Sequence, residues 1–176
     1  MYATEQVTPL FVALRARFPN AVGSEFLEDG TAPGATNERG IRHEDLTRLT
    51  HSNATFDAIV SCDCLEHIPN YSVALDECRR VLRPGGILLL SAPFRLGSQA
   101  TLVRAVNINS VTQHLAPPEF HGDPVKNSGI LCYYHFGWSL LDAIRISGFR
   151  RAHVIVYASI AFGYLGGLQS AIVARA

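Results

Sequence analysis

The sequence predicts an α/β fold: a mostly parallel sheet covered by helices on both faces and finished by an antiparallel edge strand. Three observations predict it. Short apolar runs of strand type alternate with helix-period segments along the 176 residues. Nearly half the chain (48%) is apolar and only 17% is charged, so it can bury a sheet. The last two strand patterns lie too close together for a helical crossover, which calls for a hairpin. The length suits one hydrophobic core, so residues 1–176 are read as a single domain.

The elements follow in order. Residues 2–5 form a short strand pattern. Thr8 then Pro9 read as a helix N-cap with proline in the first helical position, and Leu10, Phe11, Leu14 and Phe18 would share one face. Residues 21–25 are a second short strand, 29–40 a loop by composition, and 41–45 a weak third strand. Residues 56–62 have the continuous apolar character of a strand buried in a parallel sheet. A helix over 71–82 places Val73, Leu75, Cys78, Val81 and Leu82 on its apolar side and stops at Pro84-Gly85-Gly86. Residues 86–92 return as a buried strand, and 95–137 are irregular and rich in His, Pro and Gly. A helix over 139–148 ends on glycine, and strands follow near 152–159 and 170–175.

Several function classes lose ground on composition. Formal net charge is zero, so nothing attracts a phosphate backbone and no nucleic-acid partner is expected. Residues 154–173 carry no charge and are long enough to cross a bilayer. Three glycines and Gln169 interrupt them, so two buried strands fit better than a membrane span. Cys62, Cys64, Cys78 and Cys132 lack the paired clusters of a zinc site, so no metal is expected. Reduced cysteines and the absence of a signal-peptide pattern point to a cytoplasmic location. No GxGxxG follows any strand, which disfavours a dinucleotide-dependent oxidoreductase.

Three ordered segments carry a resemblance. They are Phe56-Asp57-Ala58-Ile59-Val60-Ser61, then Leu65-Glu66-His67-Ile68, then Arg80-Val81-Leu82-Arg83-Pro84-Gly85-Gly86-Ile87-Leu88-Leu89 with Pro93. Together they resemble the class I S-adenosylmethionine-dependent methyltransferases of the type 11-like group, with their "FD" strand, "LEH" segment and "RxLxPGGxLxLxxP" turn and strand. The resemblance implies a Rossmann-like three-layer sandwich with a seven-stranded sheet of order 3-2-1-4-5-7-6, the seventh strand antiparallel. It implies S-adenosyl-L-methionine as cofactor and a small-molecule or sugar-type methyl acceptor as substrate. The alternative is a methyltransferase-fold binding or interaction module without catalysis. Its ground is that the family's glycine-rich loop after strand one is replaced here by Thr4-Glu5-Gln6-Val7-Thr8-Pro9.

In open parallel sheets, ligands bind beyond the carboxyl ends of the strands. The resemblance accordingly assigns Glu5 to the cofactor at strand one, and Glu25 with Phe26 to the ribose through the "GxD/E" pattern Gly23-Ser24-Glu25. Asp45 and Leu46 would meet the adenine, and Ser61, Cys62 and Asp63 the methionine side. Oxygen and nitrogen acceptors need a proton taken away, most often by histidine. His67 of the LEH segment is one candidate base. His121, oriented by Asp123 in the segment 118–124, is the other, and His114, His135 and Glu119 are further titratable groups nearby. His114, His121, Asp123 and His135 match no metal-binding spacing. Tyr133, Tyr134, Phe136 and Trp138 are either walls of the acceptor pocket or core.

Overall fold

The computed structural model describes residues 1–125 and 129–176. Along the chain run β1 (Tyr2–Ala3), α1 (Pro9–Arg17), β2 (Val22–Gly23), β3 (Phe56–Cys62), a 3-10 turn (Leu65–His67), α2 (Tyr71–Val81) and β4 (Leu82–Ser91). Short strands β5 (Leu102–Val103), β6 (Ala105–Ile108), β7 (Val111–His114), β8 (Phe120–His121), β9 (Ile130–Leu131) and β10 (Tyr134–His135) follow. The chain closes with α3 (Ser139–Ile146), β11 (Arg151–Ser159) and β12 (Tyr164–Arg175).

The main sheet has the order β11-β12-β4-β3-β1-β2. The pairs from β4 through β3 and β1 to β2 are parallel, while β12 runs antiparallel to both β4 and β11. The expected third strand is reduced to one parallel bridge, Glu25 to His43, beyond β2. Its backbone is used elsewhere, because His43 donates to the Ala35 carbonyl and accepts from the Gly34 amide. With that bridge counted, the order is the expected 3-2-1-4-5-7-6.

Alternation along the strands sets the layers. Tyr2 joins the main core, with Ile59, Leu88, Leu90 and Ile172 from the sheet and Leu75, Leu140 and Ile144 from α2 and α3. Ala3, the next residue, points the opposite way and packs with Phe11 of α1 and Ala21. Helix α1 is capped as expected, with Thr8 Oγ1 accepting from the Phe11 amide at 3.2 Å. Its buried face is narrower than the periodicity predicts: Phe11 is buried, but Leu10 and Phe18 are 41% and 45% exposed. The reason is that only two residues of β1 and two of β2 lie beneath this helix. Thr8→Ala removes the cap and should lower stability by about 1 kcal/mol, read as a lower urea midpoint at unchanged m-value.

Helix α2 runs straight into β4 at Val81 and Leu82, so Pro84-Gly85-Gly86 lies inside the strand and not before it. The register against β3 shifts there, between Phe56 and Ala58. Gly85 adopts φ 80°, and its amide donates to the Ala176 carbonyl at 3.0 Å. Positive φ at this kink is why glycine is required. Residues 154–173 lie in the β11–β12 hairpin, as the glycine interruptions imply; its turn exposes Ile160 and Phe162, and the start of β12 exposes Leu165. No helix among the described residues is long and apolar enough to cross a membrane.

Candidate active site

Parallel strands β1, β2 and β3 end on the same side of the sheet, and the residues just past them open a cavity of about 510 Å³. Thr4 and Glu5 follow β1, Ser24, Glu25 and Phe26 follow β2, and Cys62 with Asp63 close β3. Asp63 turns the chain out of β3 with φ 45°, a left-handed conformation that aspartate tolerates better than most residues. Its amide donates to the Ser91 carbonyl at 3.0 Å. Volume and mixed polar lining suit a ligand of metabolite size.

The segment that replaces a glycine loop is tied down by side chains. The Gln6 and Val7 amides donate to Oε1 of Glu25 at 2.6 and 3.0 Å. The Gln6 side chain donates to the Gly40 carbonyl at 2.7 Å and accepts from the Arg42 amide at 2.8 Å. Thr8, besides capping α1, donates to Oε2 of Glu5. The other Glu5 oxygen, Oε1, is buried without a hydrogen-bond partner among the described residues, and Glu5 lines the cavity. Burial raises the pKa of Glu25, while the two loop amides oppose that shift. Gly23 earns its place by proximity: a Cβ there would sit 2.7 Å from the Glu5 carbonyl oxygen and 2.7 Å from the Phe11 ring.

Asp45 and Leu46 line the same cavity, with Asp45 Oδ1 accepting from the Thr47 amide at 2.8 Å. Their neighbour Glu44, missed in the sequence, is buried and structural. It accepts from Thr50 and Arg42 and so fastens residues 42–50 together. Phe26 is 57% exposed at the rim, beside His43. Ser61 is buried in β3 and is not among the cavity-lining residues; its hydroxyl accepts from Thr4 Oγ1 at 3.0 Å, joining β3 to β1.

His67, Asp123 and Tyr133 also line the cavity. His67 Nδ1 donates to the Leu131 carbonyl at 2.8 Å, which leaves the Nε2 lone pair available, and burial lowers its pKa. His121 is not among the cavity-lining residues, and the carboxylate it meets is Glu119 where Asp123 was expected. Asp123 instead faces the cavity and accepts from the Val125 amide at 2.7 Å. Glu119 binds Nε2 of His121 at 3.0 Å, Nε2 of His135 at 2.9 Å and Arg104 at 3.1 Å. Between His67 and His121 lies Glu66, whose side chain is fully buried. Burial pushes its carboxyl up to about 7. Among the four aromatics, Tyr133 walls the cavity, Tyr134 and Phe136 are core, and Trp138 stacks edge-on with Phe94 while donating to the Leu96 carbonyl. His114 sits apart on the exposed strand β7.

Residues 14–90 match a family model described as a methyltransferase domain. A stretch of 56 residues is 41% identical to a probable S-adenosylmethionine-dependent methyltransferase of Mycolicibacterium smegmatis, covering 32% of this chain and 22% of the relative. Another of 48 residues is 44% identical to a ubiquinone biosynthesis O-methyltransferase of Xylella fastidiosa, covering 27% and 19%. The matched segments are thus about a fifth of those relatives. Among solved structures, an S-adenosylmethionine-dependent methyltransferase from Mesorhizobium loti superimposes with TM-score 0.59 over 99% of this chain and 90% of its own, at 16% identity. That likeness establishes the shared fold.

Proposed function

We propose that the chain is a class I S-adenosylmethionine-dependent methyltransferase, on the match of residues 14–90 to a methyltransferase-domain model and the shared fold, and that it transfers a methyl group from S-adenosylmethionine to a small-molecule or sugar-type acceptor. The observation that carries this reading is the cavity past β1, β2 and β3, lined by Glu5, Glu25 and Asp45 at the positions the family uses. The bound cofactor supplies an electrophilic methyl on a sulfonium sulfur.

The residues present fit that group. Glu5 Oε1, buried and without a partner, suits the methionine ammonium. Glu25 accepts from the ribose hydroxyls while it also holds the Gln6–Val7 turn. Asp45 takes the adenine amino group, and Leu46 and Phe26 cover apolar ring faces. Cys62 and Asp63 border the methionine side, whereas Ser61 acts from behind by holding Thr4. Methyl transfer is an in-line displacement, so alignment of acceptor and methyl supplies much of the rate. At the acceptor end, His67 and Asp123 are the cavity-lining groups that can take the acceptor's proton. His121 is a positioning residue: it is not among the cavity-lining residues and packs edge-on against His67, which is.

Isothermal titration with S-adenosylmethionine and S-adenosylhomocysteine tests the reading. It should be followed by an assay for S-adenosylhomocysteine release with a panel of phenols, amines and sugars. Saturable heat and product release with at least one acceptor are expected. Neither heat nor a thermal shift at millimolar cofactor would overturn it.

A further inference from the structure

We propose that Glu66, His67 and His121 form a binding site for a single divalent cation of the zinc type. The site joins the adjacent Glu66 and His67 of the 3-10 turn after β3 to the sequence-distant His121 of strand β8. Glu66 is 0% exposed, and neither carboxylate oxygen has a hydrogen-bond partner among the described residues. A buried carboxylate in that condition is costly unless a cation or donors meet it. Two imidazole nitrogens do face it, but at the wrong distances for hydrogen bonds. Glu66 Oε1 lies 3.5 Å from His121 Nδ1 and 3.7 Å from His67 Nε2.

Those distances have another meaning. Ligand atoms held about 2.0–2.2 Å from a tetrahedral zinc ion lie roughly 3.3–3.6 Å from one another, which the His121 distance meets and the His67 distance exceeds by about 0.1 Å. All three donor atoms fall within 4.8 Å of each other. The imidazole rings stand at 85° with centroids 4.9 Å apart, so they converge without stacking.

The nitrogens not aimed at Glu66 are already committed. His67 Nδ1 donates to the Leu131 carbonyl at 2.8 Å, and His121 Nε2 to Glu119 at 3.0 Å. Each bond fixes the tautomer that leaves a lone pair on the nitrogen facing Glu66. Glu119 is itself held by Arg104 and His135. Such outer partners are what orient histidines in metal centres. Two imidazoles and one carboxylate suit zinc and its first-row neighbours, not magnesium or calcium.

A second grouping, Glu119, His121 and Cys132, is the less suited of the two. There Glu119 is taken by three cationic or imidazole partners, and the Cys132 thiol is spent on the Tyr134 carbonyl at 3.3 Å. His67 lines the main cavity, so a cation at the proposed site borders it. There it holds the segments around residues 66 and 121 together, and Asp123 is left as the group that takes the acceptor's proton. That last role rests on the proposed methyl transfer; the cation site does not.

Chelator-treated full chain, titrated with zinc or cobalt(II) and analysed by equilibrium dialysis and elemental analysis, tests the site. One equivalent should bind, and cobalt should show the visible absorption of a four-coordinate ion without a thiolate band. His121→Ala and Glu66→Gln should each weaken uptake at least tenfold, and Glu119→Gln should weaken it roughly 10–100-fold. Cys132→Ser and His114→Ala should leave it unchanged. His121 is 29% exposed, so its variant should keep the wild-type circular dichroism even if Glu66→Gln does not. Substoichiometric uptake, or one equivalent retained in folded His121→Ala, overturns the proposal. A thiolate-to-cobalt band lost in Cys132→Ser overturns it too.

Discussion

Glu25→Ala should weaken S-adenosylmethionine binding by roughly 10–100-fold, measured by calorimetry. The estimate follows from losing hydrogen bonds to a charged acceptor, about 1.5–3 kcal/mol, at about 1.4 kcal/mol per tenfold. The change acts twice. It removes the acceptor assigned to the ribose hydroxyls, and it releases the Gln6 and Val7 amides that Oε1 now holds. Glu25→Gln keeps an acceptor oxygen for those amides but loses the charge, so it should fall between wild type and alanine. Unchanged affinity in a folded Glu25→Ala protein would remove Glu25 from the cofactor site. The two variants also separate its jobs: a gap between them measures how much binding depends on the turn as opposed to the charge.

Phe136→Ala should cost about 3–5 kcal/mol of folding stability, against a usual total of about 5–15 kcal/mol. For a chain of this length that corresponds to a fall in Tm of roughly 6–20 °C, which scanning calorimetry can read. Phe136 is 0% exposed and packs edge-on to Tyr71 at 5.2 Å and against Tyr134 at 5.6 Å. Its amide donates to the Pro93 carbonyl, and its carbonyl accepts from Arg95. The segments around residues 93–95 and 134–136 are therefore anchored to the core through this ring. Gly137 next to it cannot carry a side chain, because a Cβ would lie 2.5 Å from the Ala100 carbonyl oxygen. A fall of less than about 1 kcal/mol would show that the surroundings collapse into the space and that the anchor lies elsewhere.

Much of the fold was legible because local signals and tertiary demands agree. Thr8-Pro9 starts α1, the apolar side of α2 meets the sheet, and the uncharged 154–173 stretch forms a hairpin. Leu10 and Phe18 were misread because helical spacing shows only that a face is apolar, not how much sheet lies under it. The third strand was read too long, since nothing local reveals that its backbone is used by residues 34–35. In the site, motif spacing picks out Glu5, Glu25 and Asp45, which do line the cavity. Ser61 is not among the lining residues while Cys62 is, because a one-residue offset along a strand reverses the direction of the side chain. The convergence of Glu66, His121 and Glu119 was invisible, as it depends on a loop returning more than fifty residues later to cover the 3-10 turn. Asp123 is near His121 in sequence, yet Glu119 is the residue that meets the imidazole. The case for a non-catalytic module rested on the missing glycine loop, and it weakens because Glu5 and Thr8 still wall the cavity.

The shared carboxylate of Glu25 also governs how this turn can change over evolutionary time. A glycine placed at position 6 would remove the two side-chain bonds to residues 40 and 42, yet Glu25 would still hold the amides of positions 6 and 7. Shortening residue 25 first would free the amides and leave the turn without its acceptor. Neither substitution alone leads back to a ligand-facing glycine loop, so the effect of each depends on the other. Positions 6 and 25 are thus coupled, while residues 40 and 42 take part through backbone atoms alone, so drift in this corner of the molecule is constrained chiefly at that pair.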